Sequence, residues 1–336
     1  MDRVTLKDVA ARLGLSRAAV SMGLRGDPGI PVRTRKRIHA ACQELGYRPD
    51  SLLSEMGSAR WRRTRVAQGS RIAYVTTIPD GQPFWNLGQF VHNHAVALGY
   101  QVEIFERASF GSSAKLQRIL RNRGITEVIL GPVYDESLGV NLNWSKFISI
   151  QLLPVFHSPL HCVVRDHFNV VTMAWRKAAS YGYRRIGCLL LDHQNQLADD
   201  VMRLSAVHTC QHYFFPKLPQ LPPFLFNKLD TRRNEFADWV RLHQPDVIIS
   251  FNSVHADYYL QEFGHDIPYA SLHEAADSYS GVTDYTETCA REAINLLHYC
   301  RRSYQWGIPR ERIDHVLEPV WHEGTSMPRK EDVVHS

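Results

Sequence analysis

Cysteine is sparse in this chain, with six in 336 residues, and none stands in a Cys-x-x-Cys pair. Cys42, Cys162, Cys188, Cys210, Cys289 and Cys300 are scattered, which points to reduced thiols and against a disulfide framework. No stretch approaches the ~18 consecutive apolar residues that a membrane span needs, and Met1-Asp2-Arg3-Val4 leads into mixed sequence without an apolar signal core. Membrane insertion and secretion are therefore disfavoured, and a cytoplasmic protein is expected. A nucleophile elbow, a P-loop and a Gly-rich dinucleotide fingerprint are also missing, so neither an enzyme nor a cofactor is expected. Hydrophobic residues at 44% and charged residues at 22% are near globular averages, which argues against global disorder, and the length suggests more than one domain.

What the sequence does contain is an uneven charge. Residues 1–65 hold 14 Lys and Arg against 6 Asp and Glu, whereas the remainder holds 25 against 28, so the net +5 divides into +8 and −3. A basic module on a near-neutral body suggests a polyanion partner for the module and a different ligand for the body.

Thr5 can cap a helix whose apolar residues Leu6, Val9, Ala10 and Leu13 recur at helical spacing, with Gly14 as its terminator. Ser16 then caps a second short helix from Arg17 to about Leu24, with Val20 and Leu24 facing Val9 and Leu13. Two short helices across a Gly-containing turn make a helix-turn-helix. After the break at residues 25–29, a third helix is expected from about Val32 to Leu45, ending at Gly46. In such a unit the start of the second helix enters the major groove, where Arg17, Ala18, Ser21 and Met22 would reach base edges. Thr5 with Leu6 beside it, Ser16, Arg25, Thr34 and Tyr47 would face backbone phosphates near the basic run Arg33, Arg35, Lys36 and Arg37, not all of which can point one way. The same three helices could instead serve only protein contact.

Thr5-Leu6-Lys7-Asp8-Val9-Ala10, Gly14-Leu15-Ser16, Val20-Ser21, Thr34-Arg35 and Glu44-Leu45-Gly46-Tyr47-Arg48-Pro49 resemble, without gaps, the headpiece of the LacI/GalR family of bacterial transcription regulators. The chain departs from that pattern at Met22 and Arg25, where the family often has Arg and Asn; the departures bear on which operator is read. The resemblance implies a hinge helix in residues 50–57, with Met56 as the apolar wedge into the minor groove and Leu53 replacing a usual small residue. An ordinary linker whose Leu52, Leu53 and Met56 pack on the body is the alternative. Arg60, Arg62, Arg63 and Arg65 make the connector basic.

Beyond residue 70, short apolar runs alternate with helix-like stretches: Ile72–Val75, Val102–Phe105, Val128–Leu130 and Phe147–Ile150 in one series, then Ile186–Leu191, Val247–Ser250 and Tyr269–Leu272 in another. This pattern predicts parallel sheets covered by helices, in two lobes, with ligands at the carboxyl ends of strands. Asp80, Phe84 and Trp85 follow the first strand and are candidates to line such a site, although Trp85 could equally be buried against the first helix. More weakly, Tyr181–Gly187 and Trp321–Ser326 resemble the same family's periplasmic-binding-protein-like effector domain. That resemblance implies further effector-site residues: Asp166, Arg203, Asn252 with Ser253, His273 beside Glu274, and Asp284. Arg203 is followed by Ala206-Val207 rather than the family's usual Gly-Phe, and a surface helix position is its alternative reading.

His157, His161, Cys162, Asp166 and His167 carry metal-ligating groups, but on a strand alternate side chains diverge, so no metal site is expected. The Pro-rich segment 216–223 reads as a loop, with Phe214, Phe215, Phe224 and Phe226 packing against the body.

The expectation is an all-α helix-turn-helix headpiece (1–49), a hinge helix and basic linker (50–69), and a two-lobed α/β effector-binding and dimerisation domain with parallel sheets (70–336). By its resemblance the chain is a nucleoid-associated bacterial regulator, a repressor. It would bind double-stranded operator DNA as a homodimer under control of a small-molecule effector, a sugar or related polyol. A solute-binding protein without transcriptional role shares the body's expected fold and is the rival reading.

Overall fold

The computed structural model describes residues 6–24, 29–45, 70–77, 86–133, 137, 139–193, 197–227, 232–264 and 266–330. The expected hinge and linker, with Leu53 and Met56, lie outside them, as do Thr5, Arg25, Tyr47, Asp80, Phe84 and Trp85. The chain divides into two units, one comprising 1–163 and 290–315, the other 164–289 and 316–336.

In the amino-terminal segment the helices are α1 (Leu6–Leu13), α2 (Arg17–Leu24) and α3 (Val32–Leu45). Gly14, at φ 65°, ends α1: Leu15 N–H donates to Ala10 O (3.0 Å) and Gly14 N–H to Ala11 O (3.3 Å), the paired bonds of a left-handed helix stop. Ser16 Oγ accepts from Ala19 N (3.1 Å) and starts α2 two residues later. Val9, Ala10, Val20, Ile38, Ala41 and Cys42 fill the small core between the three helices. Gly23 matters there, since a Cβ at that position would lie 2.3 Å from Ile38 Cδ1.

The rest of the first unit is built on a six-stranded sheet of β1 (Arg71–Thr76), β2 (Gln101–Glu106), β3 (Glu127–Leu130), β4 (Ile148–Leu152), β5 (His161–Arg165) and β11 (Asp314–Leu317), in the order β11-β5-β4-β3-β1-β2. The pairs β1/β2, β1/β3, β3/β4 and β4/β5 are parallel, with Ile72 opposite Val102 and Glu127, and Ile150 opposite His161. Every residue of β3 and β4 is buried, as expected for parallel strands covered on both faces. Helices α4 (Asn86–Ala97), α5 (Ser113–Asn122) and α10 (Thr286–Arg302) accompany this sheet in the chain.

The second unit has a six-stranded sheet of β6 (Ile186–Leu191), β7 (Phe224–Phe226), β8 (Val247–Ser250), β9 (Tyr269–Ser271), β10 (Gly281–Val282) and β12 (Trp321–His322), ordered β12-β10-β9-β8-β6-β7. All its pairings are parallel except β10/β12. Its helices are α6 (His167–Ser180), α7 (Ala198–Thr209), α8 (Arg233–His243) and α9 (Ser253–Leu260). Phe224, Phe226, Phe236, Trp239 and Tyr259 form an aromatic core against β6 and β8. Phe224 and Phe226 belong to the edge strand β7 rather than to a loop flank: only three residues long and preceded by Pro222-Pro223, it lacks a sequence period of its own. Phe214 remains 44% exposed, with the Arg176 guanidinium 5.1 Å from its ring centroid. Among the described residues, no helix is long and apolar enough to cross a membrane.

Candidate DNA interface and effector site

Packing dictates which face of α2 is available. Val20 is fully buried and Leu24 half-buried against α1 and α3, which turns Arg17, one helical repeat before Ser21, toward solvent. Arg17 is exposed, Ser21 and Met22 are half-buried, and Ala18 lies between them on the helix. Ser16 is exposed while its hydroxyl caps the helix; Leu6 and Thr34 are half-buried. In the basic run of α3, Arg33, Lys36 and Arg37 are exposed and Arg35 half-buried, while Ile38 enters the core. The described residues thus present a guanidinium at the start of a short helix, with cations on a neighbouring helix. That arrangement suits a polyanion with readable base edges.

In the second unit, the carboxyl ends of β6, β8, β9 and β10 deliver His193, Phe251 with Asn252, His273, and Asp284. Arg203, from α7, is buried at 2% exposure. Its Nη2 donates to Asp200 Oδ1 at 2.6 Å, and its Nη1 donates to His167 Nδ1 at 3.0 Å. Because arginine only donates, His167 Nδ1 accepts and the imidazole proton sits on Nε2, which reaches Asp199 Oδ2 at 3.2 Å. Asp200 also accepts from His193 Nδ1 (3.0 Å) and His193 N (3.0 Å). The Arg203 guanidinium lies 5.1 Å from the Phe251 ring centroid, Phe251 lies 5.0 Å from His273, and His273 lies 5.9 Å from His167.

Burial alone would raise the carboxyls of Asp199 and Asp200, but His167 at the first and His193 with Arg203 at the second outweigh it and hold both below the usual range. Burial drives His167 down, and drives His273 well down with Arg165, Arg203 and His167 adding to the effect. His167 and His273 are therefore neutral imidazoles near pH 7.

Several residues singled out from the sequence have work within the fold. Asp166 caps α6: Oδ1 accepts from Asn169 N (2.8 Å) and Oδ2 from Asn169 Nδ2 (2.7 Å). Asn252 caps α9 by accepting from His255 N (2.9 Å), and half-buried Ser253 opens that helix. Asp284 accepts from Thr286 N (2.9 Å) and Thr286 Oγ (2.5 Å) at the start of α10, with Arg165 at 3.5 Å. Arg203, His273, Asn252 and Asp284 occupy the ends of one sheet or the helix packed on it, while Asp166 opens α6 from the end of β5. The sequence reading missed Asp199, Asp200 and His193; the available signal was the Asp200–Arg203 spacing, which puts opposite charges on one helical face.

One expected outcome concerns His255, which packs 4.6 Å from Phe226 and 5.6 Å from Phe251 and which burial pushes down to about 4. A histidine of lowered pKa binds fewer protons folded than unfolded, so its contribution is intact above pH ~6.5 and is lost as the pH falls from ~6.5 to about 4. Melting temperature should therefore decline across that interval, and His255→Asn should flatten the decline. An unchanged slope in the variant would show that His255 is not the titrating group.

The model of the bacterial regulatory proteins of the lacI family matches residues 5–50, the segment that holds the three small helices. The HTH-type transcriptional regulator MalR of Streptomyces coelicolor is 29% identical over 195 residues, 55% of this chain and 53% of that protein. The regulator AglR of Rhizobium meliloti is 39% identical over 57 residues, 17% of this chain and 16% of that protein. The chain thus spans about half the length of MalR, and much less of AglR. Among solved structures, the cellobiose complex of the transcriptional regulator CelR superposes with a TM-score of 0.57 at 19% identity over 96% of this chain and 100% of that one. The lac repressor dimer bound to operator and the anti-inducer ONPF gives 0.56 at 15% identity, over 97% and 100%. These likenesses extend the fold over nearly the whole length, and the headpiece match makes residues 5–50 similar to the bacterial regulatory proteins of the lacI family.

Proposed function

We propose that this protein is a sequence-specific DNA-binding transcription regulator of the cytoplasm, a repressor, that binds a pseudo-palindromic operator as a homodimer. The observation that carries this reading is the headpiece itself: a family-matched helix-turn-helix whose second helix exposes Arg17 while Val20 holds it to the core. One short helix reads too few bases to select a genomic site, and two-fold symmetry doubles the contact. A surface for pairing is available on the edge strand β2, where Ile104 is 51% exposed near α4 with its exposed Val96. The family is one of DNA-binding regulators, so no catalytic role is assigned.

The effector is a sugar or related polyol held at the carboxyl edge of the second sheet. Arg203 and Asn252 supply hydrogen-bond donors there, Asp284 supplies acceptors, and Phe251 and His273 supply flat faces. CelR was solved with cellobiose. Asp80, Phe84, Trp85, Asp166 and Ser253 complete the proposed set. A solute-binding protein without a DNA role is the rival reading, and DNA binding separates the two.

Arg17→Ala should lower the preference for the operator over random duplex by the value of a bidentate guanine contact, about 1–3 kcal/mol. Thr34→Ala should weaken binding to both duplexes alike. Competition gel shifts with operator and random DNA read the two profiles. Equal losses for Arg17→Ala on both duplexes would move Arg17 to the phosphate backbone and withdraw the proposed base contact.

A further inference from the structure

The amino-terminal edge of the first unit's sheet borders a cavity of about 1040 Å³ that none of the roles above uses. Its lining comes from Arg35 of α3, from the turn before β4, from β4 and the start of β5, and from the segment between the end of α10 and Ile313. The volume is at the upper end of the ~300–1,000 Å³ usual for small-molecule sites. Two half-buried indoles, Trp144 and Trp306, contribute flat apolar faces.

The polar groups around it are unusual. Ser149 is 4% exposed, yet its Oγ has no hydrogen-bond partner, and neither have the buried Nε1 of Trp306 and Oε1 of Gln305. Native proteins satisfy nearly all such groups, so three orphans on the residues of one cavity call for an occupant. His161, also buried, accepts from Ile313 N at Nδ1 (3.0 Å), which places its proton on Nε2, where the Gln305 side chain is its neighbour. Lys146 and Arg310, both exposed, together with Arg35 of α3 outnumber the one lining carboxylate, Glu311.

We propose that this cavity is a second small-molecule site, separate from the effector site, for a flat heteroaromatic ligand that carries an anionic group. The indoles stack on the ring system, which gains from offset and edge contacts with aromatic faces. The Trp306 N–H and Ser149 O–H donate to ring nitrogens or carbonyl oxygens, and Lys146 and Arg310 take the anion. A polyol would meet few carboxylate acceptors here, since Glu311 is the one lining carboxylate.

Calorimetric titration of the full chain with adenosine monophosphate, adenosine and indole-3-carboxylate tests this assignment. At least one of the two anionic probes should bind in the submillimolar range. Trp306→Phe, which keeps an aromatic ring and removes the donor, should weaken that binding about tenfold, and Ser149→Ala should weaken it by a similar factor. If adenosine monophosphate is the bound probe, Lys146→Gln should weaken it while leaving adenosine unaffected. Thermal melts establish that the variants are folded; should Trp306→Phe be destabilised, Ser149→Ala carries the test. No binding of either anionic probe at millimolar concentration overturns the proposal. So does binding that both Trp306→Phe and Ser149→Ala leave unchanged, which would place the probe elsewhere, or a crystal soaked with the bound probe that shows only water in the cavity.

Discussion

Arg203→Ala should lower the unfolding free energy by about 3–5 kcal/mol, the usual cost of removing one partner from a buried ion pair. Arg203 is 2% exposed and Asp200 4%, with Nη2 and Oδ1 2.6 Å apart. Without the guanidinium, Asp200 keeps its bonds from His193 but loses its counter-charge, and His167 loses the donor that fixes its tautomer. Replacing both charges, as in Arg203→Met with Asp200→Leu, should restore most of the stability, because apolar side chains of similar volume often substitute for a buried pair at little cost. Urea unfolding of the two single variants and the double variant gives the coupling. A loss under about 1 kcal/mol for Arg203→Ala, the value of an exposed pair, would mean that the pair is not buried in solution. One consequence concerns function. A lost effector response in Arg203→Ala would not by itself identify a ligand contact, since part of the site is disordered by the same change; His273, which makes ring contacts with Phe251 and His167, is a better position for that test.

The second large effect is expected in the headpiece. Ile38 is fully buried between α1, α2 and α3 and fills the space left by Gly23. Ile38→Ala should cost about 2–5 kcal/mol. At ~0.05–0.15 kcal/mol per residue, a module of about 45 residues has only about 2–7 kcal/mol in total, so this loss would leave much of the headpiece unfolded. Affinity for DNA then falls with the fraction that remains folded, while the sheets of the body are untouched. Gel shifts should show a drop of at least tenfold, and Ile38→Val, costing about 0.5–1.5 kcal/mol, should fall in between. A headpiece that binds DNA normally with Ala at position 38 would contradict the packing described for these helices.

The headpiece was the most legible part of the sequence because its signals are local. Gly14 and Ser16 set the end of α1 and the start of α2, and the spacing of Val9, Val20 and Ile38 marks the buried face. In the body, strands flanked by helices announced themselves as apolar runs, whereas β10 and β11 did not, since β10 is buried but only two residues long and β11 is exposed. The effector site was harder to read for a chemical reason. Asp166, Asn252 and Asp284 are residue types that suit a polyol, yet each also accepts from backbone N–H groups at the start of a helix. A capping carboxylate and a ligand carboxylate look the same in one sequence. Likewise, Asp199 and Asp200 read as ordinary acidic residues of a first helical turn until His167, His193 and Arg203 are brought beside them by α6, β6 and α7.

Selection from a randomised duplex library by the full chain bears most directly on the central claim, that this protein reads DNA sequence. A two-fold symmetric site should emerge, bound about 10³–10⁷ times more tightly than random duplex at physiological salt, as is usual for specific regulators. Arg17→Ala should reduce that ratio without abolishing binding to random DNA. If no sequence is enriched, or if the enriched site and random duplex bind with equal affinity, the protein is not a sequence-specific regulator and the proposed function fails.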